Sequence, residues 1–139
     1  MNEQEFKDRT KQLGIQIIHL LEELPRNRTT DVLARQLLRS ATSVGANYRA
    51  ACRGRSSADV ISKLSIVEEE SDETLYWLEI FSELGLLPTA KVASLISEAD
   101  EILAMTVASI KTLRTRGMEF RYGTPLAQSK IQNPKSKIR

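Results

Sequence analysis

The chain of 139 residues is long enough for one domain with a buried core, and its composition, 41% hydrophobic and 27% charged, is typical of globular rather than disordered proteins. An aromatic content of only 5% disfavours a sheet protein. The sequence has no run of about 20 apolar residues and no apolar N-terminal segment, and it contains a single cysteine. We therefore expect a cytoplasmic protein without membrane span, signal peptide or disulfide framework.

The net charge of +2 is distributed in opposed blocks along the chain. Residues 25–63 carry eight basic and two acidic side chains, a net charge of +6. Residues 64–84 carry seven acidic and no basic side chains, and residues 111–139 carry eight basic and one acidic. Such blocks favour self-association or a polyanionic partner.

Four amphipathic segments follow one another, each with apolar residues three or four positions apart, as in helices that bury one face. The first is predicted over residues 3–24 and ends before Pro25, because the residue preceding a proline is displaced from helical geometry. The second begins near residues 29–31, which include good N-cap chemistry. We expect it to end at Gly54 in the left-handed C-cap conformation.

The third helix is predicted to begin at Ser56 or Ser57, where Ser56 and Asp59 have the spacing of a capping box. Its inner stripe runs from Val60 to Ser82, and Gly85 ends it. The fourth helix is predicted to open around Pro88, which the first turn of a helix tolerates, and to close at Gly117.

Short connections between long helices make successive helices antiparallel neighbours. The predicted fold is therefore an all-α, antiparallel up-down-up-down four-helix bundle. We expect the bundle domain over residues 1–117 and a flexible basic tail over residues 118–139. The tail either contacts nucleic acid or is a solvated chain end.

The arginines of the second helix share one surface. At about 100° per residue they project into a sector about 80° wide, opposite the apolar stripe and over small side chains. Gly45 is not a phosphate-loop glycine, because no Gly-Lys-Ser/Thr follows it and no strand precedes it. The candidate nucleic-acid-binding residues, here called the arginine face, are Arg28, Arg35, Arg39, Arg49, Arg53 and, in the following turn, Arg55.

Guanidinium groups bind both phosphate and carboxylate oxygens through paired hydrogen bonds. Three interpretations of the arginine face therefore stay open. It is a solvated surface, a contact surface for RNA or DNA phosphates, or a contact surface for an acidic patch on another subunit.

The third helix carries a second apolar strip beside its core stripe. A bundle helix needs only one buried face, so this strip, with the only tryptophan of the chain, predicts a subunit interface. The alternative is that the third helix is simply the most buried one. The strip and the glutamates that border it, here called the outer strip, comprise Ile66, Trp77, Ile80 and Leu84 with Glu69, Glu70 and Glu73.

The residues that catalysis or metal binding needs are scarce. His19, the only histidine, projects away from the apolar stripe, and one histidine with one cysteine cannot form a typical zinc site. The helix 3 carboxylates lack the Glu-x-x-His pairs of di-iron bundles. Arginines near Cys52 would lower its pKa, but no histidine base is near in sequence, so we expect a helix-packed cysteine. The sequence predicts no enzyme, metal site, cofactor or small-molecule substrate.

Two segments carry a family resemblance: RQLLRSATSVGANYRAACRGRS over residues 35–56 and KLSIVEEESDETLYWLEIFSELGLL over residues 63–87. The chain resembles the four-helix-bundle proteins of the 23S ribosomal RNA intervening-sequence protein family, over about residues 5–116. The most specific positions are Arg39–Ser40, Ser43–Val44 and Asn47, followed by the turn at residues 54–56 and the Glu-rich third helix.

The resemblance implies a bacterial four-helix bundle that assembles as a ring of five subunits, without catalytic activity. It also implies a nucleic-acid role, through a more distant likeness to accessory proteins of diversity-generating retroelements. After the asparagine the family has an acidic residue and a glycine, whereas this chain has Tyr48–Arg49–Ala50–Ala51. A role of that acidic residue is therefore not carried over, and Arg49 makes the surface more basic.

Two functional hypotheses result. The first is a homopentameric, non-enzymatic bundle that binds RNA or DNA through the arginine face and the basic tail. The second is a protein-interaction scaffold in which the arginine face contacts helix 3 glutamates of a neighbouring subunit and nucleic acid plays no part.

Overall fold

The computed structural model describes the backbone of residues 1–121 and the side chains of residues 1–117. It contains four helices, α1 (Glu3–Leu21), α2 (Arg28–Cys52), α3 (Ser57–Leu84) and α4 (Thr89–Arg121), and no strand within that range. The predicted all-α, four-helix fold is confirmed. Residues 122–139, which make up most of the predicted tail, lie outside the described residues.

The first three helices begin at side chains that accept a hydrogen bond from the first turn. The Asn2 side chain accepts from the Glu5 backbone N–H at 2.8 Å, and the Asn27 side chain accepts from the Thr30 N–H at 2.9 Å. The N-cap of α2 is therefore Asn27, slightly earlier than the predicted start. Ser56 accepts from the Asp59 N–H at 3.1 Å, which confirms the predicted start of α3.

The helix ends differ from prediction at three of the four helices. α1 ends at Leu21 instead of Leu24, because the backbone N–H groups of residues 22–24 donate to carbonyl oxygens three residues earlier, as in a 3₁₀ turn, and not four residues earlier. α2 ends at Cys52 with Arg53 as its C-cap, and Gly54 does not have a left-handed backbone. Gly54 is needed for another reason: a Cβ there would lie 2.4 Å from Cγ2 of Val60. Gly85 has φ +67°, as predicted for the end of α3.

The end of α4 was also predicted wrongly, since the helix continues through Gly117 to Arg121. Gly85 is the only residue with positive φ in the part of the chain that the structure describes, so Gly117 keeps helical geometry. An isolated glycine within a helix costs about 1 kcal/mol relative to alanine, which a long helix tolerates.

The predicted apolar stripes form a single core. At the end of α3, Ser82 is exposed and Phe81 is fully buried, contrary to the predicted stripe. After Leu78 the next buried residue lies three positions on, at Phe81, instead of four. Burial of the phenyl ring removes more apolar surface from water than burial of the serine side chain would. The largest fully buried side chains are Tyr48, Phe6, Phe81, Leu13, Ile17, Leu37, Leu64, Leu78, Ile102 and Leu113.

Each helix packs against two others: α2 against α1 and α3, and α4 against α3 and α1. The start of α1 contacts the end of α2, where the rings of Phe6 and Tyr48 lie edge to face at 4.7 Å. The end of α2 contacts the start of α3, where Gly54 meets Val60. The up-down-up-down arrangement of the four helices stays a prediction.

The contact between α1 and α4 is the smallest of the four, and an ion-pair cluster crosses it. Arg9 donates two hydrogen bonds to Glu98, at 2.7 and 2.9 Å, and one to Glu101. The hydrogen bond to Glu98 is the main reason why the pKa of Arg9 is raised. Lys91 contacts Glu23 at 2.7 Å near the other end of α1.

The glycine contacts predict opposite effects for two alanine substitutions. Gly54→Ala should lower the free energy of unfolding by about 1–3 kcal/mol, because the new methyl group overlaps Val60. Gly117→Ala is the matched control and should raise it by up to about 1 kcal/mol, since nothing lies within 4 Å of the new atom. Urea unfolding measures both values, and equal midpoints for the two variants would contradict this account.

Candidate nucleic-acid interface

The six side chains of the arginine face are all exposed. Their position follows from the buried stripe of α2, because Leu37, Ala41, Val44 and Tyr48 are fully buried and direct the opposite side of the helix to solvent. The structure divides the six arginines into three groups according to what surrounds them.

Arg39 is held by carboxylates of α3 in the same chain. Its Nη1 lies 3.3 Å from Oε1 of Glu70, and its Nη2 donates to Oε2 of Glu73. The same Glu73 oxygen accepts a hydrogen bond from Nε1 of Trp77 at 3.1 Å. The pKa of Arg39 is raised, mainly by its hydrogen bond to Glu73, and the pKa of Glu73 is lowered by Arg39 first and by Trp77 second. The charge of Arg39 is thus balanced within the chain.

The sequence predicts two separate surfaces for these residues, with Arg39 on the arginine face and Glu70, Glu73 and Trp77 on the outer strip. The structure brings all four together at the α2–α3 contact. A sequence signal for this existed: Arg39 and Glu70 lie at nearly equal distances in sequence from the Gly54 turn, so an antiparallel pair places them side by side.

Arg35 and Arg49 line grooves between α1 and α2. Arg49 borders a groove of about 530 Å³ together with Lys7 and Lys11 of α1. Arg35 borders a second groove of about 720 Å³, whose other charged residues are Arg26, Asp31 and Glu22. Ile18 lies between the two grooves and lines both.

The remaining arginines lie near the ends of α2. Arg28 is the first residue of the helix, Arg53 is its C-cap, and Arg55 precedes α3. Within the described residues, none of these three side chains has a carboxylate partner within 4 Å, and the same holds for Arg35 and Arg49. Five of the six arginines therefore keep an unbalanced positive charge at the surface.

Lys7 and Lys11 were not predicted to be part of this surface. They alternate with the buried residues Phe6, Thr10 and Leu13, so they flank the inner stripe of α1 on one side. The same angular projection that located the arginines of α2 would have placed both lysines on a common edge of α1.

The outer strip is partly covered within the chain. Ile66, Trp77 and Ile80 are half-buried, Glu69 is exposed, and Leu84 keeps 51% of its surface exposed. Tyr76, with 54% of its surface exposed, packs edge to face on Trp77 at 5.0 Å. Aromatic and apolar surface therefore stays accessible on α3.

Cys52 is a buried free cysteine. Burial, followed by the contact with Glu3, raises the pKa of Cys52 to about 12. The lowering contributions come from Tyr48 and Lys7, so the expected effect of nearby arginines was wrong. Among residues 1–117, no three His, Cys, Asp or Glu side chains form a group that could hold a metal ion. No helix in the described range combines the length and apolar content needed to span a bilayer.

The Arg39–Glu73 contact predicts a pH-dependent contribution to stability. Because the pKa of Glu73 is lowered from 4.5, the contact stabilises the fold above that pH and is lost as the pH falls through the folded-state value. At neutral pH the free energy of unfolding of wild type should exceed that of Arg39→Gln by up to about 1 kcal/mol, which is typical of exposed ion pairs. This difference should disappear in acid.

Urea unfolding followed by Trp77 fluorescence at several pH values measures this difference. Arg28→Gln, which removes an exposed arginine of the same helix without a carboxylate partner among the described residues, should show no such pH dependence. A difference between wild type and Arg39→Gln that persists unchanged in acid would rule out Glu73 as the partner that matters.

Comparison with known proteins agrees with the resemblance found in the sequence. Residues 2–108 match the family described as 23S rRNA-intervening sequence protein. A similar crystal structure is that of a protein with unknown function from the S23 ribosomal protein family of Bacteroides thetaiotaomicron. It is 34% identical, has a TM-score of 0.71, and the match covers 76% of this chain and 98% of that chain. No functionally curated protein matches. The chain therefore belongs to the 23S rRNA-intervening sequence protein family.

Proposed function

We propose that this protein is a non-enzymatic, homo-oligomeric bundle that binds the phosphates of RNA or DNA through its arginine face. The observation that carries the proposal is the set of exposed arginines without a carboxylate partner among the described residues: Arg28, Arg35, Arg49, Arg53 and Arg55. Arg39 contributes less than the sequence suggested, because Glu70 and Glu73 already balance its charge.

The chemistry of the surface determines the expected mode of binding. Arginines that contact phosphates displace condensed counterions, so the affinity falls steeply as salt increases. Base recognition in single strands relies on aromatic stacking, and the arginine face has no aromatic side chain among its members. The proposed binding is therefore salt-dependent and has little sequence preference.

The family supports a nucleic acid as the polyanion, because its name refers to 23S rRNA. A cytoplasmic location is part of the proposal, since RNA and DNA are both accessible there in bacteria. The proposal also treats residues 1–117 as the bundle domain and residues 118–139 as a basic tail that adds phosphate contacts.

The proposed assembly is a pentamer, as the family resemblance implies. The partly uncovered outer strip supports self-association through α3, because Trp77 and Leu84 keep surface that a second subunit would cover. In this arrangement the outer strip forms the subunit contact and the arginine face stays accessible to nucleic acid.

A second candidate function is a protein-interaction scaffold. The observation in its favour is that Arg39 already pairs with α3 carboxylates, while Glu69, Asp72, Glu79 and Glu83 are exposed and lack a cationic partner within 4 Å among the described residues. In a scaffold, these carboxylates would pair with arginines of a neighbouring subunit. Reversing the charge of the arginine face should disrupt nucleic-acid binding under the first function and the oligomer under the second.

The double variant Arg35→Glu/Arg49→Glu separates the two functions. If the arginines bind phosphates, the affinity for labelled RNA or DNA should fall at least tenfold, because two contacts are lost and two repulsions are introduced. The molecular mass in light scattering should stay that of wild type. Lys111→Glu/Arg114→Glu on α4 makes the same change of charge at two other exposed positions and should retain binding. Dissociation of the oligomer by Arg35→Glu/Arg49→Glu would favour the scaffold instead.

The subunit contact has its own test in Leu84→Glu. Leu84 is half-exposed, so this variant should fold, yet a carboxylate in the outer strip should prevent self-association. Light scattering should show a smaller mass than for wild type. Val107→Glu, at an exposed apolar position of α4 outside the outer strip, is the matched control and should keep the wild-type mass. A wild-type mass for Leu84→Glu would exclude the outer strip as the subunit contact.

A further inference from the structure

The groove beside Arg49 lies where the backbones of α1 and α2 approach each other closely. A Cβ atom on Gly45 would be 3.3 Å from the backbone of Thr10, and a Cβ on Gly14 would be 3.6 Å from the backbone of Ala41 and Thr42. The absence of side chains at these two positions lets the backbones approach. The lining of the groove combines small residues, among them Gly14, Gly45 and Ala46, with longer side chains, here called its rim.

The rim of this groove is strongly cationic. Lys7 and Lys11 approach from α1 and Arg49 from α2, and none of the three has a carboxylate within 4 Å in the described part of the chain. The single acidic residue of the rim, Asp8, accepts a hydrogen bond from Gln4 at 2.9 Å. Three unpaired cations around one groove repel one another, and an anion bound between them would relieve that repulsion.

We infer that this groove binds two successive phosphates of a nucleic-acid strand and that Lys7 and Lys11 are contact residues alongside Arg49. The inference rests on the proposed function and assigns part of that binding surface to α1. Arginine supplies a fork suited to two phosphate oxygens, and each lysine supplies a compact charge.

The dimensions of the groove suit an extended backbone. A volume of about 530 Å³ is larger than one phosphate needs and leaves space for flanking sugars, which Ile15 and Ile18 would contact. Lys7 and Lys11 are one helical turn apart, about 6 Å along α1, which is similar to the spacing of successive phosphates along a strand. The groove therefore fits two phosphates of one strand better than an isolated anion.

The electrostatics of the neighbouring helices favour the same location. On the α3 side of α2, the charge of Arg39 is balanced by Glu70 and Glu73, and the exposed carboxylates of α3 would repel a phosphate backbone. On the α1 side, Arg35 and Arg49 both line grooves. We therefore place the centre of the nucleic-acid interface on the α1–α2 edge.

Two pairs of variants test this inference by fluorescence anisotropy, with a labelled single-stranded RNA and a labelled DNA duplex of mixed sequence over a range of salt concentrations. Lys7→Gln/Lys11→Gln should reduce the slope of log affinity against log salt by about 0.7 per lost contact for the single strand and about 0.9 for the duplex. Lys63→Gln/Lys111→Gln removes two charges from α3 and α4 and should leave the slope unchanged.

The second pair places a charge inside the groove. Ala46 is exposed and lines it, so Ala46→Glu introduces a carboxylate without filling the core and should weaken binding at least tenfold. Ala46→Gln has nearly the same shape without the charge and should bind within about threefold of wild type. Circular dichroism and urea unfolding confirm that each variant is folded.

The outcomes separate the inference from the function on which it rests. If wild type binds nucleic acid and both groove variants behave like their controls, the groove is not the contact site, and the proposed function stands. If wild type binds neither probe even at low salt, the proposed function and the inference both fail. If inorganic phosphate saturates the groove without displacing bound RNA or DNA, the groove is a small-anion site and the inference is wrong.

Discussion

The burial of one apolar stripe on each helix is the constraint from which the rest of this structure follows. In α2, Leu37, Ala41, Val44 and Tyr48 have no exposed surface, and each large side chain of this kind stabilises the fold by about 1.5–3 kcal/mol. Exposed ion pairs contribute less than about 1 kcal/mol. The core therefore determines which way the arginines of α2 face, and their own contacts adjust to that orientation.

The Arg39–Glu73 contact then divides the basic surface in two. Toward α3, positive and negative side chains balance each other, and Trp77 takes part in the same hydrogen-bonded group. Toward α1, the cations have no such partners among the described residues, and lysines of α1 add to them. A surface that is uniform in helical projection is therefore asymmetric in the folded chain, and under the proposed function this asymmetry would give a polyanion one preferred edge.

Much of the fold could be predicted from the sequence, because helix periodicity and capping are local properties. The Ser56 cap, the Gly85 end of α3 and most of the inner stripes were predicted correctly, and the family was identified from two segments. The ends of α1, α2 and α4 were predicted less well, since Gly54 serves a close contact with Val60 and Gly117 remains helical. The partners of Arg39 and the groove formed with Lys7 and Lys11 depend on which helices are neighbours and on their register. A helical projection of one segment at a time gives neither the identity of the neighbouring helix nor its register.

The small contact between α1 and α4 has a consequence for the dynamics of the bundle. α1 is the shortest helix, with 19 residues, and Arg9 with Glu98 and Glu101 bridges it to α4 at a partly solvent-accessible position. A helix held mainly along one side opens at a lower free energy than the helices packed on two broad sides. Amide hydrogens of α1 should accordingly exchange with solvent before those in the middle of α3. The helix that carries Lys7 and Lys11 can thus shift more easily than α2 or α3 to fit what lies against it.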